Sequence, residues 1–233
     1  IALMGASCGG NLETIKYLID NGADINIKDE NGMTALMGAS GNNNLEIVKL
    51  LTQNGAYIDE KDNEGSTALN IASKKGNIET VKFLVDNGAD INAEDNNGNT
   101  ILMTATENDN LELVKYLAEN NANIDIGNYE GRTALMIATE NGNLELVKYL
   151  ADRVENINAF DKDGYTALKE ASNKGNLETV KLLADNGADI DGEYGETSLM
   201  IASENGDLEL VQYLVENEAN INAEDDNGWT ALM

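Results

Sequence analysis

Short apolar runs recur along this chain in pairs. Where Leu36, Leu69 or Leu135 opens one run, a second opens nine positions later, at Leu45, Ile78 and Leu144. A Gly-x-Thr motif keeps the same spacing, at Gly32/Thr34, Gly65/Thr67, Gly98/Thr100, Gly131/Thr133, Gly164/Thr166, Gly195/Thr197 and Gly228/Thr230. The steps between successive glycines are 33, 33, 33, 33, 31 and 33 residues. Self-similarity at a fixed period of this size is the mark of a stacked-repeat architecture. The pattern is a 33-residue repeat with one two-residue deletion.

Residues 95–127 show what each position does. Asp95-Asn96-Asn97-Gly98 has turn chemistry. Thr100 is placed to cap a helix whose inward face is Leu102 and Ala105, and Asn108-Asp109-Asn110 breaks that helix. Leu111, Val114, Leu117 and Ala118 form one face of a second helix. Asn120-Asn121 ends it near the left-handed position that Gly22, Gly55, Gly88 and Gly187 hold in sister units. Ile124 then leads into an extended stretch and the next turn. Both helices fall below the roughly 12–15 residues at which an isolated helix becomes marginal in water. Neither stands alone; stacked neighbours bury their apolar faces.

The unit of turn, Gly-x-Thr-x-Leu, short helix, Gly-Asn, second helix and Asn-Gly-Ala-Asp-Ile-Asn resembles the ankyrin repeat over essentially the whole chain. The resemblance implies an all-α repeat solenoid of stacked helix-turn-helix units with short β-hairpin fingers. The expected register is a single domain over 1–233. It holds a partial repeat 1–28, repeats 29–61, 62–94, 95–127, 128–160, 161–191 and 192–224, and a partial repeat 225–233. Ala2-Leu3-Met4 returns as Ala231-Leu232-Met233, so a segment of a longer array is expected. The family's Thr-Pro-Leu-His reads here as Thr34-Ala35-Leu36-Met37, Thr67-Ala68-Leu69-Asn70 and Thr166-Ala167-Leu168-Lys169. Without Pro the first helical position is less pre-organised. Without His, a column of Met4, Met37, Met103, Met136 and Met200 stands in its place, either as adaptable buried packing or as a Met-lined binding surface. The stretches ending Asp24-Ile25-Asn26 and Asp90-Ile91-Asn92 also resemble the acceptor pattern of ankyrin-directed asparagine hydroxylases. The plainer expectation is that each Asn bonds its own hairpin backbone.

Composition narrows the partners. With 42 acidic and 15 basic residues the net charge is −27, which repels phosphate backbones and anionic lipid and favours basic partners. Nucleic acid and membrane are therefore not expected as partners. One cysteine, Cys8, rules out an internal disulfide and fits a reducing, cytoplasmic setting. With no histidine, Ser-His, Cys-His and His-ligated metal sites are excluded within this sequence. Cys8 aligns with Gly41, Lys74, Glu107, Glu140, Asn173 and Glu204, a freely varying position that reads as an exposed bystander. Asp90-Ile91-Asn92-Ala93-Glu94-Asp95 puts Asp where a calcium loop needs Gly. No cofactor, metal or catalytic residue is expected. Glu13/Lys16, Glu46/Lys49, Glu79/Lys82, Glu112/Lys115, Glu145/Lys148 and Glu178/Lys181 recur at helical spacing, as a solvated outer face.

In the ankyrin family the hairpin tips and first helices form a concave partner-binding surface. The residue after each turn glycine is Met33, Ser66, Asn99, Arg132, Tyr165, Glu196 and Trp229, a column of unlike side chains at one equivalent position. Repeat packing does not require such variety, whereas recognition does; unconstrained drift leaves the same column. Tyr129 and Tyr194 join it at neighbouring tip positions, and aromatics and Arg are the types enriched at binding hot spots. The candidate site is Tyr129, Arg132, Tyr165, Tyr194 and Trp229, with Met33 and Glu196, against the alternative of unrelated surface aromatics. Glu130, Asp161, Asp163, Glu193, Asp225 and Asp226 lie beside it and favour a partner with Lys or Arg around an apolar anchor. Val154 replaces a sister glycine, and the shortened stretch 189–195 is expected to form a distorted hairpin. The reading is a monomeric, non-enzymatic protein-binding module. The alternatives are an engineered scaffold without a native partner, or a regulatory or targeting domain of a larger enzyme or effector.

Overall fold

The computed structural model of the chain describes residues 2–192 and 195–233. It forms two compact units, residues 1–123 and 124–233. The first holds four helix pairs: α1 (Ala2–Cys8) with α2 (Leu12–Asp20), α3 (Ala35–Gly41) with α4 (Leu45–Gln53), α5 (Ala68–Lys74) with α6 (Ile78–Asp86), and α7 (Ile101–Glu107) with α8 (Leu111–Glu119). The second holds three: α9 (Ala134–Asn141) with α10 (Leu144–Ala151), α11 (Ala167–Asn173) with α12 (Leu177–Asp185), and α13 (Ser198–Glu204) with α14 (Leu208–Glu216). Among the described residues there is no strand. The hairpins show only isolated antiparallel bridges, Glu94 to Thr100, Gly127 to Thr133 and Phe160 to Thr166.

Each first helix begins because a threonine caps it. Thr34, Thr67, Thr100, Thr133, Thr166 and Thr197 accept the N–H three residues on through Oγ1, at 3.2–3.4 Å. Met37 and Met200 return the bond, their Sδ accepting the cap's own N–H at 3.3 and 3.4 Å. Asn70 does the same through Oδ1 at 3.0 Å. The methionine column is thus packing: Met37, Met103, Met136 and Met200 are buried and Met4 half-buried. Second helices start at Asn11, Asn110, Asn143, Asn176 and Asp207, whose side chains also accept the third N–H on. Asn44 and Asn77 turn their amides to the preceding repeat instead, donating to the carbonyls of Ser7 and Ser40 at 3.2 and 2.7 Å.

First helices stack on first helices within each unit, α1 on α3 on α5 on α7, and α9 on α11 on α13; α2, α4 and α6 stack likewise, as do α10 and α12. Burial is heavier than the sequence pattern suggests. In α7, Ile101, Leu102, Met103, Ala105 and Thr106 are all buried, because neighbours cover the helix on several sides. In α8 the buried face is Leu113, Val114 and Leu117; Leu111 and Ala118, expected on that face, are only half-buried. Leu111 is the first residue of its helix and sits at the layer's edge. The outer Glu/Lys spacing closes as an ion pair at Glu13/Lys16, Glu46/Lys49 and Glu79/Lys82, while Lys181 lies over the ring of Tyr213.

The repeats are also joined by one recurring side-chain bond. Asn26 Oδ1 accepts the N–H of Tyr57 at 2.8 Å, Asp59 that of Asp90 at 2.9 Å, and Asn92 that of Asn123 at 2.8 Å. In the second unit Asp125 accepts from Glu155 and Asn156, Asn158 from Asp189, and Asp191 from Asn220. Asn and Asp alternate along this ladder because only an acceptor oxygen is required. Asn26 and Asn92 therefore bond the next repeat and not their own hairpin, which corrects the sequence expectation.

Helix ends explain the irregular α10. Gly22, Gly55, Gly88 and Gly187 take positive φ after their helices, and Asn121 and Glu218 manage the same at φ 69° and 68°. Val154, β-branched, does not adopt it, so α10 stops at Ala151 and is one residue shorter than α8 or α12.

Turn glycines carry a second constraint where hairpins pass each other. A Cβ on Gly65 would lie 2.6 Å from the backbone nitrogen of Asn96, whereas Gly22, at the same φ of about +80°, faces open space. Gly22→Ala should cost only the left-handed strain, about 1 kcal/mol. Gly65→Ala should cost at least about twice that, since backbone must also move. Urea unfolding of the two variants compares them; equal losses would refute the close passage.

Candidate functional site

Every complete fingertip is closed by one side chain. Asp161 Oδ1 accepts the N–H groups of Asp163 and Tyr165 at 3.0 and 2.9 Å, and its carbonyl accepts from Gly164. Asp29, Asp62, Asp95, Asn128 and Asp225 do the same, the last to Asn227 and Trp229. The residue after the turn glycine thus has its backbone held by a neighbour's side chain. Its own side chain is left over. That is why Met33, Ser66, Asn99, Arg132, Tyr165 and Trp229 can differ without disturbing the turn. The exception is the tip before Glu196, where Gly192 stands in the place of the acceptor.

The second unit brings three of the candidates together. Tyr165 and Glu196 line a cavity of about 280 Å³ with Asp163, Lys169, Asp225 and Asp226. Glu196 and Trp229 line another of about 500 Å³ with Met200, Ser203 and Glu204. Glu196 borders both, so half-buried Tyr165 and exposed Trp229 flank one acidic groove. The other candidates stand apart. Arg132 is ion-paired with Glu140, and Tyr129 is exposed outside these cavities. Met33 belongs to the first unit, in a groove of about 830 Å³ with Ser66 and Asn99. Tyr194 and Glu193 lie outside the described residues.

Two groove residues escaped the sequence reading. Glu204 was passed over as one member of a variable column. Lys169, 3% exposed, was detectable as the one cation among Met37, Asn70, Met103, Met136 and Met200 at its position.

Charge in the groove is held against resistance. Burial raises the Glu196 carboxyl above its ordinary value, with Glu204 and Asp225 pushing the same way and Lys169 opposing. Burial raises the Tyr165 phenol too, helped by Glu196, Glu170, Asp161 and Glu204. Lys169 is lowered by burial despite Glu196, Asp189, Asp161 and Asp226 around it. The N–H of Trp229 leads the contacts that hold Asp225 below the usual carboxylate range. A groove of this kind disfavours one more negative charge and favours a cation. Among the described residues no three His, Cys, Asp or Glu side chains gather as metal ligands, and no helix is long and apolar enough to cross a membrane.

The raised Glu196 carboxyl fixes a sign. The folded chain binds more protons than the unfolded chain between the ordinary value of 4.5 and the raised one. Stability from this group is therefore complete below 4.5 and declines as pH climbs through that window. Glu196→Gln should match the parent at low pH and exceed it in stability near neutrality, read as thermal midpoints across pH. A variant less stable at neutral pH would contradict this assignment.

A family model described as ankyrin repeats (3 copies) matches residues 3–95, 54–128, 88–161 and 122–193. A second, ankyrin repeats (many copies), matches residues 182–232. No curated protein matches the chain. Ankyrin repeats are generally protein–protein interaction modules and typically non-enzymatic. The matches run without a gap from residue 3 to residue 232, over the same turns, caps and stacked helices, and the chain belongs to the ankyrin repeat family.

Proposed function

We propose that this chain is a non-enzymatic protein-binding module. Its second unit grips a partner segment that carries Lys or Arg beside an apolar or aromatic group. The repeat register 29–61 through 192–224 supplies the scaffold, and the fingertips supply the choice of partner. One observation carries the reading: Glu196 lines one cavity with Tyr165 and another with Trp229. A cation entering there meets Glu196, Glu204, Asp225 and Asp226, and relieves the repulsion that opposes ionisation of Glu196. Its apolar neighbour packs on the flanking rings. Aromatics beside desolvated charge are the usual anchors of an interface. Met33, Tyr129 and Arg132 fall outside this grip; Arg132, held by Glu140, serves as a rim residue.

A peptide panel tests the reading. Labelled peptides that vary independently in Lys/Arg content and in Leu/Tyr content are titrated by fluorescence polarisation. Emission from Trp229, the one tryptophan, gives a second signal. Basic peptides with an apolar residue should bind most tightly, and more weakly as salt rises. Tyr165→Ala and Trp229→Ala should each weaken them about tenfold or more, and Glu196→Gln should erase the preference for Lys or Arg. Binding that ignores all three substitutions, or that favours acidic peptides, would sink the proposal.

A further inference from the structure

Lys169 is the odd member of a buried column. Its counterparts Met37, Met200 and Asn70 fold back and accept the N–H of their own capping threonine. A lysine ammonium has donors and no acceptor, so it cannot take that role. A cation buried to 3% exposure has to find oxygen elsewhere. Lys169 reaches out of its helix instead, and Nζ donates to the carbonyl of Gly164 at 3.1 Å, at the fingertip of its own repeat.

The neighbouring tip is irregular in two ways at once. It is two residues short, and Gly192 replaces the Asp or Asn that closes every other tip. Gly192 adopts φ +70°, and a Cβ there would lie 3.0 Å from Lys169 Cε and 3.3 Å from Nζ. The short tip therefore rests directly on the lysine stem. Lys169 lines both a cavity of about 260 Å³ with Phe160, Asp189 and Gly192 and the groove of Tyr165 and Glu196.

We infer that Lys169 and the two-residue deletion beside Gly192 are a matched pair. Lys169 is a positioning residue that fills the space the deletion left and ties it to Gly164, and so sets where Glu196 stands against Tyr165. A methionine at 169 would leave the Gly164 carbonyl without that donor and the short tip without the ammonium beside it. A full-length tip would compete with the lysine for the same space. Each irregularity makes sense only beside the other. The pairing itself rests on geometry alone, and only its effect on binding rests on the function proposed above.

A double-mutant cycle tests it. Lys169→Met is one change. The other replaces residues 192–194 with Ala-Glu-Asp-Asn-Asn, the segment at 93–97, which restores both length and acceptor. Urea unfolding is followed by circular dichroism and by Trp229 emission. Lys169→Met should lower the midpoint in the natural chain and be neutral or favourable in the restored-tip chain. The coupling should be about tenfold in the unfolding equilibrium constant. If Lys169→Met alone fails to fold, folding of the combined variant is itself the rescue. Equal losses in both backgrounds, or no loss in the natural one, would overturn the pairing. Peptide titration of the folded variants separates the two proposals. Loss of the basic-peptide preference in Lys169→Met with recovery in the combined variant supports the positioning role. Coupled stability with no peptide binding by the parent chain retires the groove alone.

Discussion

Helices of seven to nine residues cannot hold themselves together in water, and everything else in this molecule answers to that constraint. Apolar burial between stacked helices supplies most of the compensation, but burial is non-directional and leaves the register of one repeat on the next unspecified. The Asn and Asp ladder supplies direction. Each oxygen at positions 26, 59 and 92 of the first unit, and 125, 158 and 191 of the second, takes an N–H belonging to the following repeat. A backbone donor that would be orphaned at the end of one repeat is satisfied by a side chain of the last. The stacking thus has both an energy and an address.

Two sets of side chains share the fingertips. The acceptor of each complete tip holds the backbone of the residue after the turn glycine whatever side chain that residue carries. Stability depends on Asp29, Asp62, Asp95, Asn128, Asp161 and Asp225, while the groove depends on Tyr165, Glu196 and Trp229. In the function proposed above, it is the side chains of the second set that answer to a partner. Asp225 belongs to both sets, closing its tip and lining the groove, and Lys169 joins them from the core, buried yet bordering the groove.

Much of this was legible in the sequence, and for a physical reason. Period, caps and turns are local properties, written in residues a few positions apart, so Thr100, Asn108 and the Gly-x-Thr turns could be read directly. What was missed depends on residues far apart. Asn26 was assigned to its own hairpin because its true donor lies 31 positions on. The buried face of α8 was misplaced at its ends, where Leu111 and Ala118 are only half-buried while Leu113 is buried. Arg132 looked available because nothing local announces Glu140, a helix away. Of the site, the sequence showed the column at the tips and its acidic setting. It did not show that Tyr165, Glu196 and Trp229 converge while Tyr129 and Met33 do not.

A stacked array is ordinarily redundant: each joint is made of the same parts, so weakening one leaves others of equal strength. The tip at Gly192 breaks that equality, for it lacks the acceptor present at its sisters and leans on a lysine from the repeat before. On the pairing inferred above, the joint between α11 and α13 is the one built differently, and Glu196 and Trp229 both follow it in the chain.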